Sequence, residues 1–173
     1  MGHGDTDMVF TFTNKTDSGL TLSYRYDFSP NIKDGAAQTV DENSLAISGG
    51  FGKIVLGQDD DAGDSYNIDE MDLPTEEPGA GTLASASIGT SSSIASTDAM
   101  KVAYHLPAMG GLTAGISFAD SGTNTGTDTQ SMGAKYAMDA GGASITLGYA
   151  MKKTEAATKD TDQTNMGVKV TSG

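Results

Sequence analysis

One stretch limits the choice of fold more than any other. Leu20-Thr21-Leu22-Ser23-Tyr24-Arg25-Tyr26-Asp27-Phe28 places an apolar or aromatic residue at every even position and a polar one at every odd position. Only a β-strand turns a period of two into two chemically distinct faces, because successive side chains point to opposite sides of the backbone. The same alternation recurs in Met8, Phe10 and Phe12, in Leu45 and Ile47, and in Ile54 and Leu56. It resumes in Met100 to Leu106, Leu112 to Phe118, Met132 to Met138, Ala143 to Met151 and Met166 to Val170, nine candidate strands in all, with no convincing helix.

The connections alternate in length. Residues 15–19, 49–52, 107–111 and 139–142 are tight glycine turns, whereas 29–41, 59–98, 120–129 and 153–161 are longer and polar. Short turns at one rim and long loops at the other describe an up-and-down antiparallel sheet. Its polar face is built from Thr, Ser, Gly and Ala with occasional long cations, which suits the wall of a water-filled lumen. An apolar outside and a hydrophilic inside form the pattern of a transmembrane β-barrel. The period fits equally a soluble sandwich that buries its apolar stripes.

Composition narrows the chemistry. Hydrophobic residues make up 36% of the 173 positions against 23 Gly, thin for an ordinary two-layer core. One domain over residues 1–173 is the expected organisation. No apolar run approaches the roughly 18 to 20 residues that a membrane helix requires. Met1-Gly2-His3-Gly4-Asp5 lacks the basic and then apolar pattern of a secretory signal, so a removed signal or an internal fragment is expected. A formal charge of -13 opposes nucleic-acid binding. The absence of Cys removes disulfides, thiolate metal sites and thiol catalysis, and His3 and His105 alone are too few soft ligands for an expected transition-metal site. Nothing brings a nucleophile, a base and an oxyanion donor together, so no enzyme and no cofactor are expected.

The acidic connection stands out. Asp59, Asp60, Asp61, Asp64, Asp69, Glu70, Asp72, Glu76 and Glu77 are nine of the 23 acids, set within nineteen positions. A connection this long is generally functional or disordered. Asp59, Asp61 and Glu70 fill the first, third and twelfth places of an EF-hand window, but Gly63 and Asp64 occupy the fifth and sixth, where an oxygen ligand and a glycine belong. Loose Ca2+ binding stays open. So does a soluble or surface-attached adhesin-like module whose acidic loop captures cations or a basic partner.

Three stretches carry a resemblance to the general bacterial porins. These are Thr16-Asp17-Ser18-Gly19-Leu20-Thr21, Ser48-Gly49-Gly50-Phe51-Gly52-Lys53-Ile54-Val55-Leu56-Gly57-Gln58-Asp59, and Met100 to Pro107 continuing through Gly111-Leu112-Thr113-Ala114-Gly115. The resemblance implies an all-β, up-and-down antiparallel barrel of sixteen strands, of which this chain holds about nine. It also implies an outer-membrane location, a homotrimer, contact with lipid and passive diffusion of small hydrophilic solutes and ions. In that family the third loop folds inward and narrows the pore, so the nine acids of residues 59–77 are the expected constriction residues. The alternation itself puts Arg25, Lys101, His105, Lys135, Lys152 and Lys169 on the polar face and Tyr24, Tyr26, Phe28, Tyr104, Phe118 and Tyr149 on the apolar face; the resemblance implies that the former line the pore wall and that the latter face lipid.

Overall fold

The computed structural model describes residues 8–29, 39–68, 85–89, 94, 99–122 and 126–172. All nine expected strands are present: β1 (Met8–Lys15), β2 (Thr21–Ser29), β3 (Thr39–Gly49), β4 (Gly52–Gln58), β6 (Met100–His105), β7 (Leu112–Ala119), β8 (Thr127–Ala140), β9 (Ala143–Ala156) and β10 (Thr161–Ser172). They pair antiparallel with their chain neighbours in one sheet. A tenth strand, β5 (Ser85–Gly89), adds antiparallel to the far side of β10. The order is therefore β1-β2-β3-β4-β6-β7-β8-β9-β10-β5, and the two edges, β1 and β5, do not pair with each other among the described residues.

The tight turns follow from glycine. Gly141 and Gly142 close β8 onto β9 with φ of 59° and 96°. Two successive left-handed residues make the primed turn whose twist matches the flanking strands, and side chains with a Cβ resist that geometry. The register then runs unbroken from Ala140↔Ala143 to Thr127↔Ala156.

That register carries each face across the strands. One row reads Phe12, Tyr24, Leu45, Leu56, Val102, Phe118, all on the apolar face. The adjacent polar row reads Thr13, Ser23, Ala46, Val55, Ala103, Ser117, Ser131, Lys152. The apolar face is the open one, with Phe12 63% exposed, Val102 51% and Phe118 48%. Ser117, Ser131, Asn165, Lys101 and Lys152, on the polar face, are buried. This is the reverse of a soluble sandwich, in which the apolar stripes would be inside.

Three features depart from the sequence expectation. The residues expected as one unstructured connection, 59–98, contain β5 and a single helical turn, α1 (Ala62–Ser65). β3, β8, β9 and β10 extend past the alternating stretches: Thr127 to Gln130 of β8 pair with Lys153 to Ala156 of β9 although Asp128, Gln130, Lys153 and Glu155 are polar. Backbone pairing does not depend on side-chain hydropathy, so the strands outlast the pattern. Finally, β3 carries a bulge: Tyr26 pairs with Asn43 but Phe28 with Val40, so two residues oppose Asp27. The extra residue shifts the parity of β3, bringing Val40 opposite Phe28 and leaving Glu42 beside Arg25.

Candidate functional site

The chain leaves β4 and lays residues 61–68 across the polar face of β6 to β10. Asp61 starts the segment at the N-cap position of α1, but its side chain makes no cap bond. It turns instead to the wall, where its carboxylate accepts from Lys101 Nζ at 2.9 Å and from Lys152 Nζ at 2.6 Å. The capping role passes to the sheet: the Ala62 and Gly63 N–H groups each donate at 2.9 Å, to Ser117 Oγ and Ser131 Oγ. Small hydroxyl residues, in register on neighbouring strands, thus satisfy the free N–H groups that every helix start exposes.

The three charges lie under the segment. The Asp61 side chain is 1% exposed, with Lys101 at 0% and Lys152 at 5%. Burial by itself would raise the Asp61 carboxyl, but hydrogen bonds and attraction from Lys152 and Lys101 outweigh it and hold the group below its ordinary value. The anion persists at neutral pH.

Beyond α1 the segment needs room close to the sheet, and the next polar row supplies it. In register this row reads Lys53, His105, Gly115, Gly133, Ala150, Asn165. Tyr66 packs over its centre: a Cβ added at Gly133 would stand 2.7 Å from Tyr66 Cβ, and one at Gly115 would stand 2.9 Å from its ring. The Tyr66 hydroxyl lies 3.0 Å from His105 Nδ1, and burial raises the phenol above its ordinary range, so it keeps its proton. Ile68 sits where a Cβ at Gly148 would meet it at 2.6 Å. Asn165 then bonds both sides of the Ile68 backbone, accepting from its N–H at 3.2 Å and donating to its carbonyl at 3.4 Å. Asn67 joins the segment to Ile94 through a 3.0 Å bond to that carbonyl, and Ile94 is fully buried.

Of the basic wall residues expected from the alternation, four contact this segment: Lys101, His105 and Lys152 as above, and Lys135, whose Nζ donates to the Ser65 carbonyl at 3.1 Å. They are bonded to the segment directly instead of facing it across a gap. Arg25 is elsewhere, paired with Asp27 at 2.9 Å and with Glu42. Lys169 is exposed on β10. Of the acids, Asp61 is the buried anchor, Asp64 accepts from Asn67, Asp59 is half-buried and Asp60 exposed. Asp69, Glu70, Asp72, Glu76 and Glu77 lie outside the described residues.

An EF-hand arrangement is inconsistent with Asp61, whose oxygens are taken by lysines. Carboxylates of Glu42, Asp59 and Asp60 do approach one another within 4.8 Å, but Glu42 is already paired with Arg25. All six expected aromatics are on the apolar face, with Tyr24, Phe118 and Tyr149 exposed. Phe10, Phe12 and Tyr136 share that exposure. Sequence reasoning missed Asn165, Ser117 and Ser131, which looked like ordinary polar-face residues. Their parity was legible, but their partners in residues 62–68 were not.

The sequence model describing the Gram-negative porins matches residues 1–173. The chain belongs to the Gram-negative porin family. It is accordingly an outer-membrane β-barrel protein. Among solved structures it is similar to OmpTdeltaL8, a loop L8 deletion mutant of the outer membrane protein OmpT of Vibrio cholerae. The identity is 14%, over 96% of this chain and 89% of that one, with a TM-score of 0.32. A search of curated proteins gives no match. Outer-membrane residence also disposes of the soluble-module alternative: the stripes that such a module would bury are the exposed face of this sheet.

Proposed function

We propose that the chain forms the wall and the narrowing of a passive diffusion channel for small hydrophilic solutes and ions, with no catalytic step and no cofactor. The observation that carries this reading is the reversed amphipathicity: an exposed apolar face, and a polar face with an acidic segment folded onto it. Lipid covers the apolar face, including Tyr24, Tyr26, Phe28, Tyr104, Phe118 and Tyr149. On β8 the outward apolar stretch runs from Met132 to Met138, roughly 20 Å at about 3.3 Å per residue. An outer-membrane apolar band is about 25 Å tall. The homotrimer rests on the family resemblance alone.

In this reading residues 61–68 fill the part of the lumen along β6 to β10, and solutes pass over β1 to β4. There Thr11 and Thr13 are exposed, Ser23 and Ser48 half-buried, and the Arg25 side chain 42% exposed. Lys101 and Lys152, neutralised in part by Asp61, position the segment, and the charge that solutes meet comes from Arg25 with Asp27 and Glu42, and from Asp59 and Asp60.

The test is planar-bilayer recording combined with thiol labelling. Stepwise ohmic openings are expected, with a water-soluble thiol reagent reducing current through Ser23→Cys and leaving Ser117→Cys untouched. Arg25→Glu is expected to shift the reversal potential toward cation selectivity. Absence of ohmic steps from the wild-type protein, or equal labelling of both cysteines, would refute the reading.

A further inference from the structure

The segment that narrows the proposed channel is bridged over one row of the sheet. Tyr66 reaches His105 at the β6 end, the middle of the row is cleared by Gly115, Gly133 and Ala150, and the Ile68 peptide meets Asn165 at the β10 end. The two ends are not equivalent. His105 holds a side-chain tip, whereas Asn165 holds backbone, and does so through both the N–H and the carbonyl of a single residue.

We infer that Asn165 is the positioning residue of the constriction: its amide imitates a strand partner for Ile68 and sets how far the segment stands from the wall. Asn165 is 1% exposed and lies 97 positions from Ile68. A primary amide offers one acceptor and two donors on a single planar group, which suits a peptide whose N–H and C=O both need partners inside a covered site. Asp in this place would keep the acceptor, lose the donor and bring a buried charge. Leu would fill the volume and leave both Ile68 groups unsatisfied. Around the clamp, Gly148 gives Ile68 its space, so the backbone can come close enough for Asn165 to reach it. The inference rests on the channel reading for its consequence, a change in pore width, but the clamp itself can be measured without current.

The experiment uses the full chain refolded in detergent, with a nitroxide on a cysteine at Ser65, an exposed position on α1, and planar-bilayer recording in parallel. Asn165→Leu is expected to lower the ratio of docked to released segment by about tenfold, the equivalent of one to two lost hydrogen bonds. Asn165→Asp, which loses the donor and sets a buried charge against the Ile68 carbonyl, should also release the segment. In both variants the heat-modifiability midpoint on gels stays near wild type, while open-channel conductance and noise rise. An unchanged nitroxide spectrum in folded Asn165→Leu overturns the inference. Should Asn165→Leu fail to fold, Asn165→Asp decides: a spectrum identical to wild type overturns the inference, and release supports it. Nitroxide release without ohmic steps from any version, wild type included, supports the clamp and removes the channel. Ohmic steps with no nitroxide response remove the clamp and keep the channel.

Discussion

Asp61 stands where a carboxylate would ordinarily cap α1, and it is used differently. Its oxygens go to Lys101 and Lys152, and Ser117 and Ser131 accept the N–H groups it leaves. A buried ion triad adds little net stability relative to an apolar filling, but it is costly to break, because the remaining buried charges lose their counter-charge. Asp61→Asn removes the carboxylate that Lys101 and Lys152 share and is expected to weaken docking of residues 61–68 by about 3–5 kcal/mol. The nitroxide at Ser65 reads that loss. The same carboxylate gives docking a pH dependence of known sign. Its folded value lies below the unfolded one, so the stabilisation is complete above the ordinary carboxylate pKa of about 4 and is lost as pH falls through the folded value. Docking is therefore expected to be flat from pH 5 to 8 and to fail in more acidic solution, with Asp61→Asn abolishing that acid transition.

At the scale of elements, what distinguishes these strands is which face changes character along their length. Ile145, Leu147, Tyr149 and Met151 hold the outward side of β9, and beyond them the same side continues with Lys153 and Glu155, paired at 2.6 Å. The pairing partners on β8 switch in step, from Met138, Tyr136, Ala134 and Met132 to Gln130 and Asp128. The switch marks where the strand pair leaves hydrocarbon for the polar region. An arginine in the apolar band of a barrel costs about 2–4 kcal/mol near the bilayer centre. Leu147→Arg is expected to lower folding yield into lipid vesicles accordingly, whereas Thr146→Arg, one position away on the polar face, leaves it nearly unchanged. Similar losses from both variants would show that the two faces have been assigned wrongly.

For the molecule as a whole, the consequence is a sheet that cannot hide its apolar surface from water by itself. Met100 is 66% exposed and Met166 54%, in the company of Phe12, Val102 and Phe118. A surface of that extent calls for detergent or lipid. The chain is expected to sediment as a monodisperse species in detergent and to aggregate when detergent is removed. A stable, monodisperse β-rich species in plain buffer would mean that something other than lipid covers that face.

The nine strands, their antiparallel order and the parity of every wall residue were legible from the sequence. The reason is local: a period of two is a property of one strand's own backbone, and the short glycine turns pair β1 with β2, β3 with β4, β6 with β7 and β8 with β9. The porin resemblance could be read for the same reason, since Ser48 to Asp59 and Met100 to Gly115 are continuous stretches. Tertiary structure decided the rest. Lys101 and Lys152 have the same parity as Arg25, yet they lie buried on Asp61 while Arg25 stays half-open beside Asp27 and Glu42. Asn165 looks like any polar-face residue until Ile68 arrives from 97 positions away. The bulge opposite Asp27 and the pairing of β5 with β10 are likewise invisible to a periodic pattern. Hydropathy along the chain states which side of the sheet a residue occupies. Whether that side meets water, lipid or another part of the chain depends on contacts between distant segments, which no local period encodes.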